Sequence, residues 1–368
     1  MKKKKMIFMF SIVAVIVLGI ILALLLRPAK IAQTISLDKQ PLANEQTYKP
    51  IDKNKYAFAI NVPSDGRIKI SIIDATGNIE KSKKFELSAI VKDSDNKTVA
   101  EKICGANQVC IIDTPIKKGS YTVNIKFKNP SQEVQTVGIS WAYASKKASD
   151  DVKIDGPIAT TLIDNNGIAK FSVNAEKHTL VEISGGDAGN PECFYTFSVE
   201  DEKGQKIVDD TKIHETEWFS RKVFLPVGKY TITMTELTKN SVAECKLKSV
   251  EDFENISSSS FSKKTATEIK NDTPVCLGFT NNMNAEQWFR ISCDGKFDEL
   301  LISVSGNNTY YDMVSSAKFS IIDSNNNVVK DVKAAESFNY NISKLRGTYY
   351  ILVIPNGNNN MVVKAQLK

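Results

Sequence analysis

Histidine is nearly missing from this chain: His178 and His214 are the two among 368 residues. The scarcity removes most routes to a serine–histidine–aspartate triad and leaves little for zinc, which asks for three or four ligands at suitable spacing. His214 stands in "HETEW", where Trp218 occupies the place of the second histidine of a metalloprotease helix. The sequence also has no C-x-x-C, no G-x-S-x-G elbow, no Walker A loop and no dinucleotide fingerprint. Paired carboxylates of the glycosidase kind leave no sequence signature, so the acidic residues by themselves decide nothing. The expectation is a chain that is not an enzyme and carries no cofactor.

Charge of one sign is lacking as well. The net +6 is local: without Lys2, Lys3, Lys4, Lys5 and Arg27, 43 basic residues face 42 acidic ones. No electrostatic footprint for nucleic acid remains, so no nucleic-acid partner is expected. Hydrophobic residues at 42% and aromatics at 8% describe a chain that folds.

Long apolar runs are absent with one exception, Met6 to Leu26, which holds no charge. As a helix it would reach about 31 Å, close to the ~30 Å hydrocarbon core of a bilayer. It ends in Leu24-Leu25-Leu26-Arg27-Pro28 with no small-x-small cleavage site, so it reads as an uncleaved anchor rather than a signal peptide. Four lysines before it place the N-terminus in the cytoplasm and the bulk of the chain in the periplasm or outside the cell. A single-pass protein of the cytoplasmic (inner) membrane is expected, with the lipid bilayer as partner through residues 6–26. Gly19 and Ala23 give the anchor a small-xxx-small pair, a helix-pairing pattern.

Six cysteines fall two to each third: Cys104 and Cys110, Cys193 and Cys245, Cys276 and Cys293. One disulfide per domain is the expectation, in an exported compartment where such bridges persist. By loop entropy a Cys193–Cys245 bridge contributes ~4 kcal/mol and Cys104–Cys110 ~2 kcal/mol.

What is abundant is alternation. "YAFAINV" from Tyr56, "RIKISII" from Arg67, "YTVNIKF" from Tyr121 and "KYTITM" from Lys229 place apolar residues at every second position, between Asn, Asp, Gly and Ser clusters. That period marks strands with one buried face. The strands recur in order. Each third opens on a short apolar strand (Ile31–Leu37, Ile158–Ile163, Val275–Phe279), followed by an alternating one. Then come an Asp-led turn and a Gly-x-Tyr strand, at Gly119 and Tyr121, Gly228 and Tyr230, Gly347 and Tyr349. The glycines are 109 and 119 residues apart, the length of a sandwich domain of ~100 residues rather than of a solenoid unit.

The fold class that follows is all-β: three tandem β-sandwiches of jelly-roll or immunoglobulin-like type behind one transmembrane α-helix. The expected division is a basic tail at 1–5, an anchor at 6–27, and sandwiches at 28–145, 157–250 and 274–368. Polar linkers are expected at 146–156 and 251–273, the second extended and mobile because it is rich in Ser and Lys.

The last third, with Trp288 and Phe289, Asp323 to Asn327, and Gly347-Thr348-Tyr349-Tyr350, resembles the bacterial pre-peptidase C-terminal domain. The middle third has Lys170-Phe171 at the aromatic pair, and the first has Tyr56 and Phe58 separated by Ala57. The resemblance implies a small β-sandwich in three copies, clearest in the third, of a kind that accompanies secreted enzymes as an accessory or binding module.

One motif suggests an ion. Asp93-Ser94-Asp95-Asn96 has the oxygen alternation that begins a calcium loop, with Asp93, Asp95 and Asn96 as candidate ligands, but no glutamate closes it. The competing reading is a side-chain-stabilised turn. For function, the first expectation is a membrane-anchored extracytoplasmic scaffold whose sandwiches assemble with envelope or surface proteins, homo-oligomers included. The alternative is a binding module for carbohydrate, peptidoglycan or matrix ligand, which needs exposed aromatics such as Tyr310, Tyr311, Tyr340, Tyr349 and Tyr350.

Overall fold

The computed structural model describes residues 31–37, 47–51, 55–74, 86–105, 109–128, 135–146, 150–188, 193–215, 219–253, 260–269, 275–278, 286–306, 317–335, 337–355 and 361–368. The expected anchor, with Met6, Gly19, Ala23 and Leu26, lies outside the described residues. Among the described residues no helix is long and apolar enough to cross a membrane. Their one helical element is a 3-10 turn at Lys263–Thr265.

Alternation becomes strand wherever it occurs. In Ala169–Ala175, "AKFSVNA", Ala169, Phe171, Val173 and Ala175 are buried while Lys170 and Asn174 are exposed, so one face meets a core and the other meets water. The first run of strands is β1 (Ile31–Ile35), β2 (Thr47–Ile51), β3 (Lys55–Val62), β4 (Gly66–Asp74), β5 (Glu86–Asp93), β6 (Thr98–Cys104), β7 (Cys110–Ile116), β8 (Gly119–Lys128) and β9 (Gln135–Ser145). The second is β10 (Ala159–Leu162), β11 (Ala169–Ala175), β12 (His178–Asp187), β13 (Cys193–Asp201), β14 (Lys206–Glu215), β15 (Phe219–Leu225), β16 (Gly228–Thr235) and β17 (Val242–Phe253). The third is β18 (Thr267–Glu268), β19 (Val275–Gly278), β20 (Gln287–Cys293), β21 (Glu299–Gly306), β22 (Ala317–Asp323), β23 (Val328–Ala335), β24 (Ser337–Asn341), β25 (Gly347–Pro355) and β26 (Met361–Leu367).

Each run folds into two sheets around its own core. The front sheets are ordered β1-β3-β8-β5-β6, β11-β16-β13-β14 and β18-β20-β25-β22-β23. The back sheets are β2-β9-β4-β7, β10-β17-β12-β15 and β19-β26-β21-β24. The strand order is therefore the same three times, down to a leading parallel contact: β1 with β3, β18 with β20, and a bridge from Asp151 to Ser172 in between. Phe58, Phe171 and Phe289 take the same place in the three cores, fully buried on β3, β11 and β20, the front-sheet strands that make the parallel contact.

Two expectations about the chain's joints change. The apolar stretch Ile31–Leu37 is not the counterpart of Ile158–Ile163 and Val275–Phe279; those strands, β10 and β19, occupy the back-sheet place of β2. Described residues within the expected linkers are also docked on the fold. Val152 is 2% exposed in the second core, Ile154 bridges Leu247, and Ile269 is 3% exposed in the third core. Polar composition hid single apolar anchors, which suffice to dock a segment when they are fully buried.

The Asp-led turns and the Gly-x-Tyr strands meet. Asp93, Asp201 and Asp323 are the cross-strand partners of Tyr121, Tyr230 and Tyr349. Each aspartate accepts, on one carboxylate oxygen, the N–H groups of the residues two and four positions later: Asp95 and Lys97, Lys203 and Gln205, Asn325 and Asn327. The residue three positions on is left-handed: Asn96 at φ 64°, Gly204 at 75° and Asn326 at 71°. Asn and Gly are the residue types that take this conformation at least cost. Asp164 builds a fourth turn of the same kind before β11, with Gly167 at φ 81°.

Tyr121 and Tyr230 fold back so that each hydroxyl donates to the carbonyl four residues earlier, Lys117 at 3.0 Å and Pro226 at 2.9 Å. Both rings lie over their glycines: a Cβ on Gly228 would stand 3.4 Å from the Tyr230 hydroxyl. Burial, with Asp201 and Glu202 adding, pushes the Tyr230 phenol up to about 12. Tyr230→Phe, which keeps the ring and removes the bond to Pro226, is expected to cost about 1 kcal/mol in urea unfolding. An unchanged midpoint would show that the corner bond contributes nothing.

Candidate functional site

The outward face of the first back sheet is small and polar at its centre: Ser71, Ser140, Ala142 and Ala144 are all buried. Small side chains let another body approach closely, and the second sandwich does. Ala142 and Ala144 pack with Ala188, Val242 and Leu162, and the Thr160 hydroxyl donates to the Tyr143 carbonyl at 2.6 Å.

Charges are buried in this joint. Lys69 on β4 and Asp187 at the end of β12 are each 3% exposed, and the ammonium lies 2.6 Å from the carboxylate. The Thr238 hydroxyl donates to the other Asp187 oxygen. Ser241 lies 2.6 Å from Asp113 Oδ2 and 3.4 Å from Asp187 Oδ1, and Arg67 holds Asp113 at 2.5 Å. The chain Arg67–Asp113–Ser241–Asp187–Lys69 thus crosses from one sandwich to the other and back. Desolvating two charges costs several kcal/mol apiece, and mutual attraction offsets this only in good geometry. The network therefore adds little net stability, but it admits one orientation: any displacement leaves a buried charge unpaired.

The second and third sandwiches meet more openly. Leu180, Phe224 and Phe253 form a small buried cluster; Lys364 of β26 pairs with Glu251 and lies 5.2 Å from the Phe253 ring.

A cleft of about 560 Å³ runs between the segment 151–155 and the strands β11, β12 and β17. Its polar lining includes Asp151, Lys153, Asp155, Asn174, Glu176 and Asp252. Asp155 sits at φ 57° and binds the Ser249 hydroxyl and N–H, which hold its carboxyl below the usual carboxylate range. Asp252 is held low by Thr179 and Lys177. The volume suits a small molecule, but the lining is acidic and open rather than the mostly apolar cavity typical of such sites.

The residues singled out in sequence fare unevenly. Cys104 and Cys110 are bridged, with Cα atoms 5.5 Å apart, tying the front edge strand β6 to the back edge strand β7. Cys245 and Cys293 are free, buried thiols, so the expected bridges to Cys193 and Cys276 are not made. Burial, with neighbouring Glu244 adding, pushes the Cys245 thiol well up; burial does the same to Cys293. The side chains of Cys193 and Cys276 lie outside the described residues.

The calcium candidate is a turn: Asp93 Oδ1 is taken by backbone N–H groups, and Asn96 accepts from Lys92 at 3.2 Å. Asp95 gives only its N–H to that turn, and no group of three His, Cys, Asp or Glu among the described residues could hold a metal. Tyr340 stacks on Phe338 at 5.8 Å against the third core, and Tyr349 packs on the same core, so neither offers an open platform. Tyr310 and Tyr311 lie outside the described residues. His178 accepts the Val227 N–H on Nδ1 at 3.1 Å. The joint between the first two sandwiches left no signal in the sequence beyond Lys69, a charge inside an alternating strand on the side away from its own core.

No family profile matches this chain, and no curated protein does. Among solved structures, the pre-peptidase C-terminal domain of a Bacillus anthracis collagenase is similar at 16% identity, over 31% of this chain and 97% of its own, with a TM-score of 0.24. The PBSX exported protein XepA is similar at 12% identity, over 61% of this chain and 89% of its own, at 0.20. A carbohydrate-binding module seen with calcium and xylotriose is similar at 6% identity, over 30% and 98%, at 0.18. Likeness this faint carries no statement about this chain beyond the figures themselves.

Asp187→Ala is expected to cost about 3–5 kcal/mol, because it strands the Lys69 ammonium. Adding Lys69→Met is expected to restore more than half, read from urea unfolding of the two variants and the parent. If the double variant is as unstable as the single, the buried charge is not the source of the loss.

Proposed function

We propose that this chain is a membrane-anchored extracytoplasmic scaffold. In this reading residues 6–26 span the bilayer with Lys2 to Lys5 on the cytoplasmic side, and three tandem pre-peptidase-type sandwiches stand outside to assemble with envelope or surface proteins. It has no catalytic role and no nucleic-acid partner. The observation that carries the reading is the buried network from Arg67 to Lys69 through Asp187. A chain that spends a desolvated ion pair, Lys69 with Asp187, on fixing one domain against another is organised to hold a geometry. A pair of loosely tethered binding modules has no use for that constraint.

The cleft beside Asp155 favours a second reading, a module that binds a polar ligand such as a saccharide. Cross-linking in the native membrane, followed by identification of the linked chains, separates the two. The scaffold reading expects the same envelope proteins to be recovered from independent preparations, and fewer of them from an Asp187→Ala strain. A protein that is recovered unlinked, and that retains purified glycans, would overturn it.

A further inference from the structure

The threefold repetition of strand order supplies an internal comparison. On the outward face of a front sheet, away from the core, the same five places can be read in each sandwich from the strand register. In the first they are Ala57, Asn124, Thr122, Lys126 and Lys92. In the second they are Lys170, Thr233, Thr231, Thr235 and Glu200. In the third they are Trp288, Leu352, Tyr350, Ile354 and Ile322. The fold needs nothing large and apolar at these places, since the first two sandwiches hold there only Ala57 and polar residues, yet the third puts five large apolar or aromatic residues there, all half-buried.

Part of this face already has a cover. The Trp288 backbone N–H donates to the Ser260 carbonyl at 2.9 Å, and the strap beyond Ser260 carries Lys263 across to Tyr350. The Lys263 ammonium lies 4.3 Å from that ring and donates to Asp323 O and Asn326 Oδ1. The strap adds apolar surface of its own, since Phe261 is 53% exposed. Trp288, Leu352 and Ile354 make an apolar row on the outside of the sheet. Contiguous apolar surface of this kind marks an interaction site rather than scattered exposure.

The rim says what fits. Arg290 and Lys318 stand beside the row with Glu268, Glu286 and Asp331, all exposed. A rim of one sign would select an oppositely charged partner. A rim of both signs around an apolar centre is complementary to itself, the condition for an isologous two-fold contact. We propose that the outward front face of the third sandwich is a self-association surface, on which a second copy of this chain packs sheet to sheet. Two twisted sheets stacked about 10 Å apart bury such rows against each other. The contact does not depend on the anchor or on the scaffold reading.

The test is the mass of the full chain in detergent, by light scattering on a sizing column. A dimer is expected, and Leu352→Lys is expected to weaken it at least ~10-fold. Thr233→Lys, at the matching place in the second sandwich, is expected to leave the dimer intact, as is Gly19→Leu in the apolar run. The exposed position Lys318→Cys, opposite Ile354 at the edge of the row, gives a second readout: a bifunctional maleimide is expected to link it between copies, and to link Lys170→Cys far less. A monomer at all concentrations would overturn the proposal. So would a dimer lost with Gly19→Leu but not with Leu352→Lys, or equal linking at the two cysteine positions.

Discussion

Much of this molecule's organisation depends on one constraint: the Lys69 ammonium has no water to turn to. Buried against Asp187 in the neighbouring sandwich, it is stable only while the two bodies keep their relative position. The small outward residues of the first back sheet, Ser71, Ser140, Ala142 and Ala144, make that position reachable by letting the second sandwich come close. Thr238, Ser241 and Asp113 then take up the remaining carboxylate and hydroxyl groups. Apolar contact supplies the association, and the ion pair supplies the angle.

The sandwiches themselves rest on a repeated local device. An aspartate that accepts two backbone N–H groups, with a left-handed residue three positions on, closes the β5–β6, β13–β14 and β22–β23 hairpins. Beside each turn lies the tyrosine of a Gly-x-Tyr strand. Turn and tyrosine together mark one corner of each sandwich, and this is why the pattern could be seen three times in the sequence. In the first sandwich this device also gives Asp93 Oδ1 two backbone N–H partners within its own turn.

Strands and repeats were legible because period-two burial and turn chemistry are local: "AKFSVNA" declares its buried face residue by residue. The docking of Val152 and Ile269 was not legible, because one buried residue in a polar stretch has no period. Of the expected cysteine pairs Cys104–Cys110 is made, whereas Cys245 fills a core site as a free thiol, because grouping by thirds says nothing about which thiols approach each other. The joint between sandwiches was the least legible feature of all. Its meaning lies in the pairing of residues 118 positions apart, Lys69 with Asp187, which alternation cannot encode.

The most direct test of this account is a distance between spin labels on the first and second sandwiches, placed at the exposed positions Lys126 and Lys170. With Lys69 and Asp187 intact the account predicts one narrow distribution, which broadens when Asp187 is replaced by Ala. A distribution already broad in the parent, or equally narrow in both proteins, would contradict the claim that the buried pair sets the angle between the two sandwiches.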